Sequence, residues 1–299
     1  MQPGRLPPSP IRIEKIGSRP EPRCMTLTPY SRLVAATDGS ELGRIVLTGA
    51  RQLAGRTGAE LYVIHVAGDM AGHAAATLQV DEVLRDFPHS FTIKNLIAGT
   101  AMTPSKVIAE FADELGDAAV IVGTRGRGGI GTALLGSTTA ELLTRPGRTT
   151  IVYGPRAEPP TEISRVVCCV DGTAFSELSV DEAARWAAAL KVTLLIVQVV
   201  PPDLGSYVEV FESTYIQNLS KGLAELGSGV ETEILHAPSP ADAIGDSYGS
   251  DPTSLSVLAT HGRVGLTRLT MGSVSSEVVR TARGPVALIH PDSGTPSTG

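Results

Sequence analysis

Residues 33–40 read LVAATDGS, an apolar run that ends in an aspartate, a glycine and a small hydroxyl residue. The same pattern returns at residues 166–173 as VVCCVDGT, which places Asp171 133 positions after Asp38. Two further stretches repeat at nearly the same spacing: LYVIHV (61–66) returns as LLIVQV (194–199), and Gly136-Ser137 returns as Gly272-Ser273. A unit of about 130 residues therefore occurs twice.

The composition limits the classes of protein to which the chain can belong. At 299 residues it has room for two domains, and 42% hydrophobic residues can fill two cores. A net charge of −6 and an aromatic content of 4% argue against nucleic acid as a partner. No apolar stretch approaches the roughly 18 residues of a membrane-spanning helix, so we expect no membrane association. Three cysteines cannot form a disulfide framework, which favours a reducing cytoplasm.

Short apolar runs alternate with stretches of helical period, which predicts α/β domains built on parallel sheets. The predicted strands lie near 32–37, 60–66, 91–97, 118–123 and 149–153, and again near 164–170, 192–199, 230–236, 254–259 and 285–290. The predicted helices lie near 41–56, 76–86, 104–115 and 137–145, and again near 174–190, 206–227, 239–247 and 273–282. The chain then divides into a disordered proline-rich tail (1–29), a first copy (30–155), a linker (156–161), a second copy (162–291) and a disordered tail (292–299).

A glycine-rich loop follows the fourth strand of the first copy, where residues 120–138 read VIVGTRGRGGIGTALLGST. Glycines let the backbone approach a ligand closely, so that successive N–H groups can form an anion-binding nest. Ser137 is predicted to be the N-cap of the next helix, whose N-terminal end favours phosphate. The spacing is Gly123-x2-Gly126-x9-Gly136-Ser137, and the second copy repeats it with Ala259, Gly262, Gly272 and Ser273.

The alternative interpretation is that this loop only makes a tight turn. Its length of about thirteen residues argues against that, because two to six residues usually suffice between a strand and a helix. The loop is not a P-loop, since it lacks the Gly-Lys-Ser/Thr ending. We treat its match to GxGxxG at residues 126–131 as accidental, because no acidic residue follows at the distance that ribose recognition requires.

Asp38 and Asp171 each come at the end of the first strand of their copy. Such an aspartate can simply cap the following helix. In an open parallel sheet, however, ligands bind beyond the carboxyl ends of the strands, at the point where the strand order reverses. Between the first and fourth strands, that point would bring Asp38 and the glycine loop to two sides of one cleft.

These motifs resemble the tandem universal stress proteins of the ATP-binding type, whose loop motif is G-x2-G-x9-G-S/T. The resemblance extends over both copies and implies two Rossmann-like (adenine nucleotide alpha hydrolase-like) domains, each with a five-stranded parallel sheet of order 3-2-1-4-5. It also implies ATP and Mg²⁺ as ligands, with Asp38 as the candidate metal ligand. The nucleotide-binding residues implied for the first copy are Thr37, Asp38, Val66, Gly123, Gly126, Arg127, Gly136, Ser137 and Thr138.

The resemblance implies a second nucleotide site in the second copy. Its implied residues are Asp171, Val199, Gly262, Gly272, Ser273 and Val274. Ala259 departs from the motif, because it places a Cβ atom where the first copy has only hydrogen. We therefore expect weaker or altered nucleotide binding in the second copy.

The leading hypothesis is a cytoplasmic ATP-binding protein that regulates a stress response or dormancy through an unidentified protein partner. No Lys or His pair at fixed spacing suggests an activated nucleophile, so we expect binding rather than catalysis. A slow ATPase or adenylyl-transferring enzyme is the first alternative, and a nucleotide-free interaction module is the second. We also expect the copies to form an internal pseudo-dimer through residues 149–153 and 286–289, with a homodimer of chains as a further possibility.

Overall fold

Strands and helices alternate in both copies of the computed structural model, which describes residues 29–67, 70–86, 91–97, 103–124, 135–145, 147–159, 162–200, 202, 206–223, 229–260 and 272–290. The first copy contains β1 (Arg32–Thr37), α1 (Glu41–Thr57), β2 (Glu60–Ala67), α2 (Met70–Leu84), β3 (Phe91–Ile97), α3 (Pro104–Leu115), β4 (Ala118–Gly123), α4 (Ser137–Leu142) and β5 (Arg148–Tyr153). The second contains β6 (Arg165–Val170), α5 (Ala174–Leu190), β7 (Thr193–Val200), α6 (Ser206–Leu223), β8 (Val230–His236), α7 (Pro240–Tyr248), β9 (Ser254–Ala259), α8 (Ser273–Thr281) and β10 (Val286–His290). The predicted tails lie outside the described residues, except for residue 29.

The ten strands form one sheet of order β3-β2-β1-β4-β5-β10-β9-β6-β7-β8. Within each copy the neighbouring strands are parallel and the order is 3-2-1-4-5, as predicted. The two half-sheets join where β5 and β10 pair antiparallel, with Val286 opposite Val152. This pairing confirms the predicted internal pseudo-dimer, but it merges two expected five-stranded sheets into one mixed sheet.

The inner strands are continuous apolar runs because both faces of the sheet are covered. Leu33 and Val34 of β1 belong to different hydrophobic cores, one on each face of the sheet. Cys168 and Cys169 of β6 divide in the same way, since successive strand residues point to opposite faces. Burial raises the pKa of Cys168 to about 12, which keeps its thiol protonated. In the described part of the chain, no helix is long and apolar enough to cross a bilayer.

Two helix boundaries differ from the prediction. Helix α2 begins at Met70 rather than near residue 76, because the alanine-rich start of MAGHAAATLQVDEVL favours helix without showing a polar face. Helix α4 ends at Leu142 rather than near residue 145, and contains six residues. Its end tightens into i→i−3 bonds, in which the Arg145 amide donates to the Leu142 carbonyl.

A buried carboxylate lies at the joint between the copies. Glu182 of α5 is 2% exposed. Its Oε1 accepts from Trp186 Nε1 at 2.9 Å and from Thr149 Oγ1 of β5 at 3.3 Å, and its Oε2 pairs with Arg185 at 2.6 Å. The Tyr30 hydroxyl donates to Thr149 Oγ1 at 2.7 Å, which extends the cluster into the first copy. Burial raises the pKa of Glu182 above its usual value, although these partners partly offset the effect.

The position equivalent to Glu182 in the first copy is Gly49 of α1, 133 residues earlier. Gly49 lies against the phenol of Tyr153, the last residue of β5, which is 1% exposed. A Cβ atom at Gly49 would overlap the Oη and Cζ atoms of that ring and lie 3.1 Å from Cε2. Helix α1 of the first copy and helix α5 of the second copy therefore pack at the joint in different ways.

Candidate functional site

The carboxyl ends of β1 and β4 lie side by side at the centre of the first half-sheet. Ala35 pairs with Ile121, so the ends of the two strands are level at one edge of the sheet. The strand order reverses between these strands, which is where ligands bind in open parallel sheets. Asp38 follows β1 at this edge, and Gly123 is the last residue of β4.

Residues 37–40, which we call the Asp38 loop, join β1 to α1. Asp38 Oδ1 accepts from the Ser40 amide at 3.0 Å, and Gly39 between them has a φ of 74°. Ser40 is the N-cap of α1, because its side chain accepts from the Gly43 amide at 3.1 Å. The interpretation of Asp38 as a helix N-cap is therefore wrong: its carboxylate folds the turn that precedes the cap.

The Asp38 loop is also held by helix α2, through a residue that the sequence analysis did not select. Gln79 accepts from Thr37 Oγ1 at 2.8 Å and donates from Nε2 to the Ser40 carbonyl at 2.8 Å. The His65 ring, buried on β2, bonds through Nδ1 to the Thr37 carbonyl at 2.7 Å. The signal for Gln79 was present, since it is a polar residue between Ala76 and Val80 on the buried face of α2.

The start of α4 is built by the backbone rather than by a serine cap. Gly136 is the N-cap, with φ −69° and ψ 159°, and it makes no side-chain cap bond. Ser137 is the first helical residue, so its predicted role as N-cap is wrong. Glycine can fill the cap position because it needs only an extended backbone there, which leaves the first N–H groups of α4 without a capping side chain.

Three hydrogen bonds attach α4 and its cap to their surroundings. Thr139 Oγ1 donates to the Gly123 carbonyl at 2.7 Å, and the Gly136 amide donates to the Thr124 carbonyl at 2.5 Å. Further along α4, Glu141 accepts from Ser105 Oγ of α3. The start of α4 is thereby fixed to the end of β4, although the sequence analysis named neither Thr139 nor Glu141.

The remaining predicted residues of the first copy fall in two groups. Val66 lies near the carboxyl end of β2 and is partly buried, Ser137 is exposed, and Thr138 is partly exposed. Gly126 and Arg127 lie outside the described residues. The structure therefore brings the ends of β1, β2 and β4 and the start of α4 to one edge of the sheet.

The second copy has the same arrangement with different local contacts. Asp171 is exposed, and its Oδ1 accepts from the Thr173 amide at 3.0 Å and from Thr173 Oγ1 at 2.6 Å. Thr173 is the N-cap of α5, so Asp171, like Asp38, is not the helix cap. Gly272 is the N-cap of α8, which makes Ser273 its first residue and Val274 its second, and Val199 is the penultimate residue of β7. Gly262 lies outside the described residues.

Asp38 is the predicted metal ligand of the first copy. Over the ranges that the structure describes, no group of three His, Cys, Asp or Glu side chains could hold a metal. Asp38 supplies one carboxylate, so a metal ion there would need further oxygen ligands from elsewhere. The start of α4 lies at the same edge of the sheet, and the free N–H groups at a helix N-terminus generally favour anions such as phosphate.

Comparison with known sequences gives consistent matches in both copies. The Universal stress protein family profile matches residues 29–147 and 162–290. A universal stress protein of Mycolicibacterium smegmatis is 28% identical over 214 residues, which cover 68% of this chain and 70% of the relative. A universal stress protein of Mycobacterium tuberculosis is 30% identical over 198 residues, which cover 62% of this chain and 65% of the relative.

Solved structures share the tandem fold at low identity. A universal stress protein from Archaeoglobus fulgidus has a TM-score of 0.64 and 18% identity, covering 87% of this chain and 98% of its own. A functionally unknown protein from Pseudomonas aeruginosa has a TM-score of 0.63 and 17% identity, covering 89% and 94%. These likenesses support the fold, and the profile match spans most of the chain. The protein therefore belongs to the universal stress protein family.

Proposed function

We propose that the protein is a cytoplasmic regulator that binds ATP with Mg²⁺ in its first copy and changes its contacts with a protein partner in response. The observation that supports this most is the position of the motif Gly123-x2-Gly126-x9-Gly136-Ser137. Its first glycine ends β4 and its last glycine caps α4, beside the Asp38 loop. The buried, protonated thiol of Cys168 is compatible with a reducing cytoplasm.

The residues of the first copy divide into two groups in this proposal. The ends of β1 and β2, at Thr37, Asp38 and Val66, would hold the adenosine part of the nucleotide. The phosphates would lie against the loop and the start of α4, where N–H groups and the helix dipole favour negative charge. The phosphate-binding residues would be Gly126, Arg127, Gly136, Ser137 and Thr138. Bound Mg²⁺ would neutralise phosphate charge, and Asp38 would supply a carboxylate ligand for it.

We favour binding over turnover because the groups beside Asp38 are already engaged in structure. His65 of β2 is buried, and its Nδ1 bonds to the Thr37 carbonyl at 2.7 Å, so its ring helps to hold the Asp38 loop. If the native chain released phosphate from ATP at physiological rates and Asp38→Ala abolished that release, the protein would be an ATPase rather than a regulator.

Replacing Gly123 by alanine is expected to weaken ATP affinity about tenfold, or about 1.4 kcal/mol. The new Cβ atom reproduces the second copy, where Ala259 occupies the same end of the strand. Titration calorimetry of the full chain with ATP and Mg²⁺ measures the change. The matched control is Ala259→Gly, which should strengthen binding in the second copy and leave the first unchanged. Equal affinity in the native chain and in Gly123→Ala would contradict the proposed contact.

A further inference from the structure

We propose that Gln79 is a positioning residue that couples helix α2 to the Asp38 loop in the first copy, so that nucleotide binding there and the position of α2 depend on each other. The inference rests on the proposed function for its ligand, but the coupling itself rests on contacts between described residues. It gives the first copy a link between the site and a surface helix.

The carboxamide of Gln79 forms a bridge between helix α2 and the Asp38 loop. Gln79 is 5% exposed, and both the oxygen and the nitrogen of its carboxamide bond to the Asp38 loop. Its Oε1 accepts from Thr37 Oγ1, which itself accepts from the Gly39 amide at 3.2 Å. Its Nε2 donates to the Ser40 carbonyl, which also accepts from the Arg44 amide at 3.0 Å to begin α1. One side chain from α2 therefore ties together both ends of the loop.

Helix α1 packs closely against this bridge. A Cβ atom at Gly43 would lie 2.6 Å from Thr37 Oγ1, 3.2 Å from Asp38 Oδ1 and 3.3 Å from Gln79 Oε1. Only a glycine leaves room for these three oxygens beside the first turn of α1. With α1 on one side and Gln79 on the other, the loop has little space to move unless α2 moves with it.

The corresponding loop of the second copy is held by different contacts. Val170 occupies the position of Thr37 and Ser176 that of Gly43, at the repeat offset. Ser176 Oγ accepts from the Asp171 amide at 3.1 Å and donates to the Thr173 carbonyl at 2.9 Å. The loop of the second copy is thus held by the helix that follows it.

Helix α2 is well placed to transmit a change at the site to solvent. It is a surface helix that carries Gln79 on its buried face and Leu78 on its outer face, where Leu78 is 70% exposed. A ligand that pulls on Thr37 or Asp38 acts on two hydrogen bonds to α2. Because buried hydrogen bonds are costly to leave unmade, the helix is expected to follow the loop.

The experiment compares the native full chain with Gln79→Leu, Gln79→Glu and the surface control Leu78→Ala. Hydrogen exchange of the backbone amides is followed without nucleotide and with saturating ATP and Mg²⁺, and ATP affinity is measured by calorimetry. Without nucleotide, we expect exchange at Gly39, Ser40 and Gly43 to rise about tenfold in Gln79→Leu and less in Gln79→Glu, which can still accept from Thr37. Leu78→Ala is expected to match the native chain.

With nucleotide, ATP is expected to slow exchange in α2 of the native chain, and this effect should be lost in Gln79→Leu. ATP affinity should fall about tenfold in Gln79→Leu and recover partly in Gln79→Glu. The coupling would be overturned if hydrogen exchange in the Asp38 loop were unchanged in Gln79→Leu. It would also be overturned if ATP slowed exchange in α2 equally in the native chain and in Gln79→Leu. Failure of the native chain to bind ATP would instead overturn the proposed function, and the nucleotide-free exchange would then decide the role of Gln79 alone.

Discussion

Replacing Gly49 by alanine should lower the free energy of unfolding by about 3 kcal/mol, because the added methyl overlaps the phenol of Tyr153. Tyr153 is 1% exposed and ends β5, the strand at which the copies join, so the ring has little room to retreat. Chemical denaturation of the full chain, followed by circular dichroism, measures the loss.

The clash explanation for Gly49 can be separated from a simple glycine effect. The double variant Gly49→Ala with Tyr153→Val should lose less stability than the sum of the two single variants, since the smaller side chain frees the overlapped space. Gly229→Ala is the matched control, because its Cβ would meet only Thr193 Oγ1, at 3.8 Å, and a change within about 0.5 kcal/mol is expected. A Gly49→Ala chain as stable as the native one would show that the helix and strand are not packed this closely.

Replacing Glu182 by alanine should lower the free energy of unfolding by about 2 kcal/mol. The change leaves Trp186 Nε1 without its carboxylate acceptor in the core and removes a bond that reaches Thr149 in the other copy. The control is Glu158→Ala, which breaks the Arg283–Glu158 ion pair, where both side chains are about half exposed. A loss below about 1 kcal/mol is expected for it. Equal losses in the two variants would contradict the role of the buried cluster.

The pH dependence of the free energy of unfolding tests the same cluster through the protonation of Glu182. Burial raises the pKa of Glu182 in the folded chain, so the folded state binds this proton more tightly than the unfolded state. Its contribution to stability is therefore complete below the ordinary pKa of glutamate and falls as pH rises towards the raised value. Glu182→Gln should show a flatter stability profile across that window, and a profile identical to the native one would contradict the raised pKa.

The fold could be predicted because its determinants are local and repeated. LVAATDGS and VVCCVDGT each end a buried strand at the same point of their copy, and the strand order 3-2-1-4-5 is the one that the family resemblance implies. The pairing of β5 with β10 was expected from the family resemblance rather than from the residues of the two strands. The start of α2 was less visible, because its alanine-rich first turns lack the polar face that marks a helix in sequence.

The site was only partly predictable, since its bonds join residues that are far apart in the chain. Asp38 and Ser137 are residue types that commonly cap helices, but the caps are Ser40, two residues after Asp38, and Gly136, one residue before Ser137. Gln79 reaches Thr37 across 42 positions, and Glu182 reaches Thr149 across 33. Periodicity marks such polar residues as anomalies on buried faces, yet it does not identify their partners.

The central claim is that the cleft between the Asp38 loop and the start of α4 binds ATP. The most direct test is a crystal structure of the full chain soaked with a non-hydrolysable ATP analogue and Mg²⁺. The account predicts phosphate density against the amides of Gly136 and Ser137, with the base near Val66. Fully occupied analogue elsewhere on the molecule, or a cleft closed by neighbouring side chains at saturating analogue, would contradict it.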